Sequence, residues 1–313
     1  MTTEYEAFTA GRACVRIDDL CVVEMTGDDR TTVLNNLTTN DFKRLEVDHG
    51  WETFITDVRG RAIGHVCGFN ESQRMLMLGC GSQGETLASH IDRYIIREDA
   101  VITDRSEAFV GWLISGQQTP AIEGFTPAEA PRLACGSLAI GDASASWFQM
   151  PWTSDRDCLV LASANAAEAV EKWLTEQGFP VVDGQVLESA RIAAGWPRFG
   201  IDCSDANLPQ EVDRNEQTIS FTKGCYLGQE TIARLDALGQ VQKKLVKMQI
   251  SGDAVPATGT KLIDADKPCG EIRSAIVSPT DGQVIAIGYV RRKWFDAGSQ
   301  LQVADSDQTA TVL

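Results

Sequence analysis

The octet Lys223-Gly224-Cys225-Tyr226-Leu227-Gly228-Gln229-Glu230 sets one cysteine between two glycines. A cation stands two residues before the thiol, and an amide–carboxylate pair follows it. Glycines let a backbone turn tightly or approach a ligand closely. A thiol beside a cation ionises more readily, although Lys223 could equally project away from it. Gln229 can donate and accept, whereas an ionised Glu230 only accepts, so the pair could serve a ligand or hold the loop itself. A plain structural turn is the alternative reading of the octet.

Around it lies a chain of 313 residues with 43% apolar content, enough for two or three cores. A net charge of −16 argues against nucleic acid as the main partner, because phosphate binding needs a concentrated basic surface. It leaves room for a small anion in a locally basic pocket, for which Arg191, Arg198, Lys223 and Arg234 are the candidates. The nine cysteines are odd in number, and no two have C-x-x-C spacing. Most sit in apolar runs such as His65-Val66-Cys67-Gly68-Phe69, where a thiol packs as a small hydrophobe. A reducing, cytoplasmic setting is expected. The acidic start carries no apolar leader, and no stretch reaches the ~20 apolar residues of a spanning helix. No membrane partner is expected.

Periodicity predicts a strand pair over 13–25, a short helix burying Val33, Leu34 and Leu37, and strands over 51–69 and 74–80 that turn through 57–61. Leu87, Ile91, Tyr94 and Ile95 line one face of a helix over 84–96. Strands and polar loops alternate to about 162. A helix over 165–178 would be capped by Asn165, bury Val170, Trp173 and Leu174, and stop at Gly178. Another covers 184–194 and ends at Gly195. This mixture, without a regular βαβ rhythm, predicts an α+β fold. From Lys244 onward, short strands at 245–250, 261–263, 270–273, 284–290 and 300–303 predict a small antiparallel barrel or sandwich. Leu238-Gly239-Gln240 reads as the linker, dividing the chain into 1–240 and 241–313.

The octet belongs to a longer pattern. It includes Arg191-Ile192-Ala193-Ala194-Gly195-Trp196-Pro197, Leu208-Pro209-Gln210-Glu211 and Ile219-Ser220-Phe221-Thr222. Thr26-Gly27-Asp28-Asp29 and Leu37-Thr38-Thr39-Asn40-Asp41-Phe42 lie near its start. This pattern resembles the YgfZ-type folate-binding proteins of iron–sulfur cluster maturation, relatives of the glycine-cleavage T-protein, an aminomethyltransferase. The resemblance implies ferredoxin-like α/β subdomains in a cloverleaf arrangement followed by a β-barrel. It also implies tetrahydrofolate, or a derivative, as cofactor, and iron–sulfur enzymes or assembly factors as partners. Cys225 would be the functional thiol with Lys223 beside it. Arg191, Glu211, Tyr226, Gln229, Glu230 and Arg234 would surround the folate, and Trp196 or Phe221 could offer a flat face to the pterin.

Two positions depart from the transferases. Ala193 stands where a glutamate contacts the pterin, removing a charged acceptor worth about 1.5–3 kcal/mol; Glu188 or Glu211 could substitute. Thr86 stands near the transferase catalytic aspartate, and threonine cannot act as a carboxylate base; a shift of one residue would bring Glu85 there. Three readings follow: a folate-binding accessory protein, an active aminomethyl or methylene transferase, and a scaffold that has lost folate. His49, His65 and His90 are too few for a metal site, and Gly79-x-Gly81-x-x-Gly84 is an isolated glycine pattern.

Overall fold

The computed structural model describes residues 2–116, 132–141, 143–239 and 241–313. In chain order the first elements are α1 (Thr2–Thr9), β1 (Cys14–Ile17), β2 (Leu20–Thr26), α2 (Arg30–Leu37), β3 (His49–Thr56), β4 (Ala62–Asn70), β5 (Met75–Cys80), α3 (Gly84–Asp92), β6 (Val101–Asp104) and β7 (Phe109–Ile114). Next come β8 (Cys135–Ile140), β9 (Ala143–Met150), β10 (Asp157–Ser163), α4 (Ala167–Glu176), β11 (Val181–Val182), α5 (Gln185–Ala194), α6 (Asn215–Thr218) and α7 (Gln229–Leu238). The last six strands are β12 (Lys243–Ile250), β13 (Lys261–Asp264), β14 (Lys267–Val277), β15 (Val284–Arg291), β16 (Gln300–Val303) and β17 (Thr309–Val312).

Two sheets form the body, ordered β11-β1-β7-β10-β9-β8 and β3-β4-β5-β2-β6. Strand alternation explains how they pack. Leu76 and Leu78 of β5 and Val22 of β2 join Leu113, Phe148, Leu159 and Leu161 of the other sheet in one core, so the sheets lie face to face. The residues between them, Val23, Met75 and Met77, point the other way, onto Val33 and Leu34 of α2 and Leu87 and Ile91 of α3. On the far side, Trp112, Ile114 and Val160 meet Val170 and Leu174 of α4. Every residue of β5 is buried because both of its faces are covered.

The C-terminal strands close into a barrel, β12-β15-β14-β13-β16-β17, all antiparallel. The expected α+β class with a terminal barrel is therefore observed. Closure leaves no free sheet edge. Leu245, Ile287 and Tyr289 of the barrel pack on Phe54, Ile192 and Val212 of the body. Among the described residues no helix is long and apolar enough to cross a membrane.

Several boundaries differ from expectation. α3 ends at Asp92, and Tyr94 and Ile95 continue as turns bonded to Ile91 and Asp92. Asn165 caps nothing: it lies inside a 3-10 turn, Ala164–Ala166, and α4 starts after it. The strand expected at 270–273 runs from Lys267 to Val277 through a bulge between Ile272 and Ser274. β17 was not expected, since its four residues carry only two buried positions. Residues 117–131, in the run expected to alternate strand and loop, and Gln240 of the expected linker lie outside the described residues.

Candidate functional site

The octet forms a loop followed by the first turn of α7. Its backbone is tied to the body: Leu227 N–H donates to Asn36 O (2.9 Å), and Thr56 Oγ1 donates to Leu227 O (2.7 Å). Just upstream, Ser220 N–H donates to Thr39 O (2.9 Å). Gly228 has φ +79°, and a Cβ there would lie 2.4 Å from Asp57 O and 2.6 Å from Gly60 Cα. The loop therefore rests directly on the 57–61 turn. Gly224, by contrast, has nothing within 4 Å of a Cβ position.

Lys223 reaches the end of α2, where Nζ donates to Asn35 O (2.6 Å), Thr38 O (2.8 Å) and Asn40 O (2.5 Å). Helix C-termini leave carbonyls unpaired, and an ammonium is a natural cap for them. Burial pushes Lys223 down to about 7. All three donors of the ammonium are spent on carbonyls, with the Tyr226 ring 4.9 Å away. The expectation that it serves the thiol gives way to a framework role. Gln229 also holds the loop: its Oε1 accepts from Tyr226 N–H (3.2 Å). Glu230 is exposed on the first turn of α7, and Arg234 is exposed further along that helix.

Cys225 is exposed, whereas the other eight cysteines are buried and all nine are free thiols. Burial raises the pKa of each of those eight, to about 12 for Cys14 and Cys135. The thiolate is the nucleophile, so solvent-accessible thiol chemistry is concentrated at Cys225. Beside it opens a cleft of about 320 Å³ lined by Val33, Leu37, Tyr94 and Tyr226.

Arg191 lies elsewhere. It is 3% exposed and donates to Glu188 Oε2 (2.6 Å), Asp202 Oδ2 (2.7 Å), Trp196 O (3.3 Å) and Ser274 Oγ (3.2 Å). Arg198 pairs with Glu188 and Asp19. The cations expected to make one basic pocket thus do not converge: two join α5 to the 196–203 segment and the barrel, one caps α2, and Arg234 is exposed on α7. Glu211 accepts from Leu208 N–H (3.2 Å) and Asn207 Nδ2 (3.1 Å), holding its own turn. The carbonyl of Ala193, which the resemblance sets against the transferase glutamate, accepts from Lys247 Nζ (3.1 Å). Thr86 and Glu85 are both exposed on α3. Phe221 is exposed, and Trp196 is buried.

A second cluster escaped the sequence reading. Glu52, fully buried on β3, accepts from His65 Nε2 (2.8 Å), Arg214 Nη2 (2.7 Å) and Arg132 Nη2 (3.3 Å). Burial alone would push this carboxyl up; its bonds to Arg214 and His65 outweigh that and bring it down to about 2. His65 stacks on Phe54 (4.6 Å between centroids) and Trp196 (5.3 Å), and Trp196 lies 5.7 Å from Trp152. Among the described residues, three buried nitrogens in this group have no hydrogen-bond partner: His65 Nδ1, Trp152 Nε1 and Trp196 Nε1. Native interiors rarely leave such atoms unpaired. The sequence signal was a carboxylate within the apolar run of β3. Its partner Arg214 lies 162 residues away, beyond any local pattern. Among the described residues no group of three or more His, Cys, Asp or Glu is placed to hold a metal ion.

Residues 243–312 match the family model of the glycine cleavage T-protein C-terminal barrel domain. The tRNA-modifying protein YgfZ of Yersinia enterocolitica is 26% identical over 249 residues, covering 79% of this chain and 74% of that protein. Its namesake in Yersinia pseudotuberculosis is 27% identical over 250 residues with the same coverage. The crystal structure of glycine cleavage system aminomethyltransferase T from Bartonella henselae superposes with a TM-score of 0.85 at 15% identity, over 100% of this chain and 87% of that one. Barrel, body and sequence agree: the chain is similar to YgfZ proteins along most of its length, carries the T-protein C-terminal barrel at 243–312, and has the fold of aminomethyltransferase T.

Proposed function

We propose that this chain is a tetrahydrofolate-binding accessory protein for iron–sulfur cluster assembly or repair, presenting Cys225 as its working thiol. The observation that carries the reading is the segregation of the cysteines: eight are buried, and one stands exposed on a loop pinned at Lys223, Leu227 and Gly228. A fixed, accessible thiol suits exchange with a client's sulfur or metal ligand. A thiol serving only as packing would be buried like the others.

The residues present also fit a folate. Trp152 Nε1 and Trp196 Nε1 are donors without acceptors, and in the neutral ring His65 Nδ1 is an acceptor, since Nε2 faces Glu52. A pterin carries both donors and acceptors on its edges and a flat face for stacking. Bound folate would supply a one-carbon carrier and a shaped, rigid surface near the loop. The chain's own contribution is to orient it with the three rings and to exclude water from the Glu52 cluster. The transferase reading lacks a carboxylate at the needed place, since Thr86 and Glu85 lie on the solvent side of α3.

The test is an anaerobic calorimetric titration with tetrahydrofolate on the wild type, Cys225→Ala and Trp196→Phe. Binding is expected in the first two and weakened in the third. Cys225→Ala is further expected to fail in restoring a damaged iron–sulfur enzyme that the wild type restores. Absence of binding to the wild type overturns the folate part; full restoration by Cys225→Ala overturns the thiol part.

A further inference from the structure

A second opening lies away from Cys225. A cleft of about 880 Å³ runs between the 204–211 segment and the barrel strands β13, β14 and β15, a volume suited to a nucleotide-sized ligand. Its lining carries six cations, Lys243, Lys261, Arg273, Arg291, Arg292 and Lys293, against two carboxylates, Glu211 and Glu271. In a chain of net charge −16 this is a local inversion of sign. Four of the cations are paired: Lys261 and Arg273 with Glu271, Lys293 with Asp264 (2.9 Å) and Lys243 with Glu211 (3.4 Å). The guanidiniums of Arg291 and Arg292, among the described residues, have no hydrogen-bond or ion-pair partner.

An independent observation comes from the lining residue Tyr289. It is 7% exposed, and its buried hydroxyl has no hydrogen-bond partner among the described residues. The ring is held by Lys243, 4.9 Å from its centroid, and by packing against Leu245 and Val212. A buried hydroxyl without an acceptor loses the bonds it would make in water. The half-buried Trp294 adds an apolar wall beside the two arginines.

We infer that this cleft binds a phosphate-bearing ligand of nucleotide size, with Arg291 and Arg292 clamping the phosphate and Tyr289 donating its hydroxyl to it. Guanidinium forks match phosphate oxygens bidentately. A phosphate offers enough acceptor oxygens to serve both forks and the hydroxyl together. The cleft is separate from the proposed folate cluster and does not depend on it. The phosphate could belong to a free nucleotide or to a single-stranded RNA, and the two sources are separable.

Calorimetry on the full chain at low salt would use ADP, inorganic pyrophosphate, a short single-stranded oligoribonucleotide and triglutamate. Saturable binding of a phosphate probe is expected. It should weaken by at least about tenfold in the Arg291→Ala/Arg292→Ala double variant, as loss of charge-assisted bonds implies. Tyr289→Phe is expected to weaken binding several-fold while leaving Tm unchanged or raised, a split that a packing role would not give. Binding of ADP or pyrophosphate assigns a free ligand; binding of the oligoribonucleotide alone assigns a polymer phosphate. Failure of every phosphate probe, binding of triglutamate alone, or indifference to the arginine pair overturns the inference. Tetrahydrofolate affinity is expected to be unaltered in the double variant.

Discussion

Glu52 and Lys223 are both buried charges, and their surroundings treat them differently. The ammonium of Lys223 has only neutral carbonyls as acceptors, so desolvation lowers its pKa. Glu52 has two guanidiniums and an imidazole, and its pKa falls from 4.5 to about 2. A carboxyl whose folded pKa lies below its unfolded value contributes stability that is fully present above pH 4.5 and lost as the pH falls through about 2. Glu52→Gln is therefore expected to be less stable at pH 7 by about 3–5 kcal/mol, because Arg214 keeps its buried charge without a partner. The Tm difference from the wild type is expected to narrow as the pH falls from 4.5 toward 2. A difference that stays constant across this range would remove the linkage. None of this was legible beforehand. The octet announced Lys223 and Cys225 by their spacing, whereas Glu52 meets Arg214 only after the chain has folded.

At the scale of elements, strand periodicity carried most of the reading. Short apolar runs bounded by turns marked β1 to β5, with β5 buried on both faces, while alternation of buried and exposed faces marked most of the barrel. It missed β17, whose Thr309-Ala310-Thr311-Val312 has too few positions to declare a period. Capping chemistry misled at Asn165, because a 3-10 turn satisfies the entry to α4 without a side chain. The two glycines of the octet look alike in sequence and differ in the fold. Gly228 is left-handed and pressed against Asp57 O, whereas Gly224 faces open space. Gly228→Ala is expected to cost more than about 1 kcal/mol and to shift the Cys225 loop off the 57–61 turn. Gly224→Ala is expected to be nearly neutral. Thermal melts with iodoacetamide labelling rates at Cys225 separate the two; equal losses would mean that the contact with Gly60 does not position the loop.

Across the whole molecule, the barrel is held to the body by a polar seam set in an apolar one. Arg191 on α5 joins Asp202, which is fully buried, and Ser274 on β14; Ser274 Oγ in turn donates to Asp202 Oδ1 (2.6 Å). Glu188, three residues before Arg191, is the one partner visible in the helical spacing. Asp202 and Ser274 belong to other segments and show no pattern. The resemblance alone puts Arg191 at the folate, but every donor of its guanidinium is already committed to this seam. Arg191→Met keeps the length of the side chain and leaves the Asp202 carboxylate buried beside Ser274 and the Arg198 N–H. The expected cost is about 3–5 kcal/mol, the usual penalty for removing one partner of a buried ion pair. Hydrogen exchange is expected to rise along β14 and α5 together, because the pair links them. Below its melting range the variant is expected to bind tetrahydrofolate within a few-fold of the wild type. A loss of more than about tenfold in a variant that still melts cooperatively, worth about 1.4 kcal/mol of binding, would return Arg191 to the ligand and leave the seam to its apolar contacts.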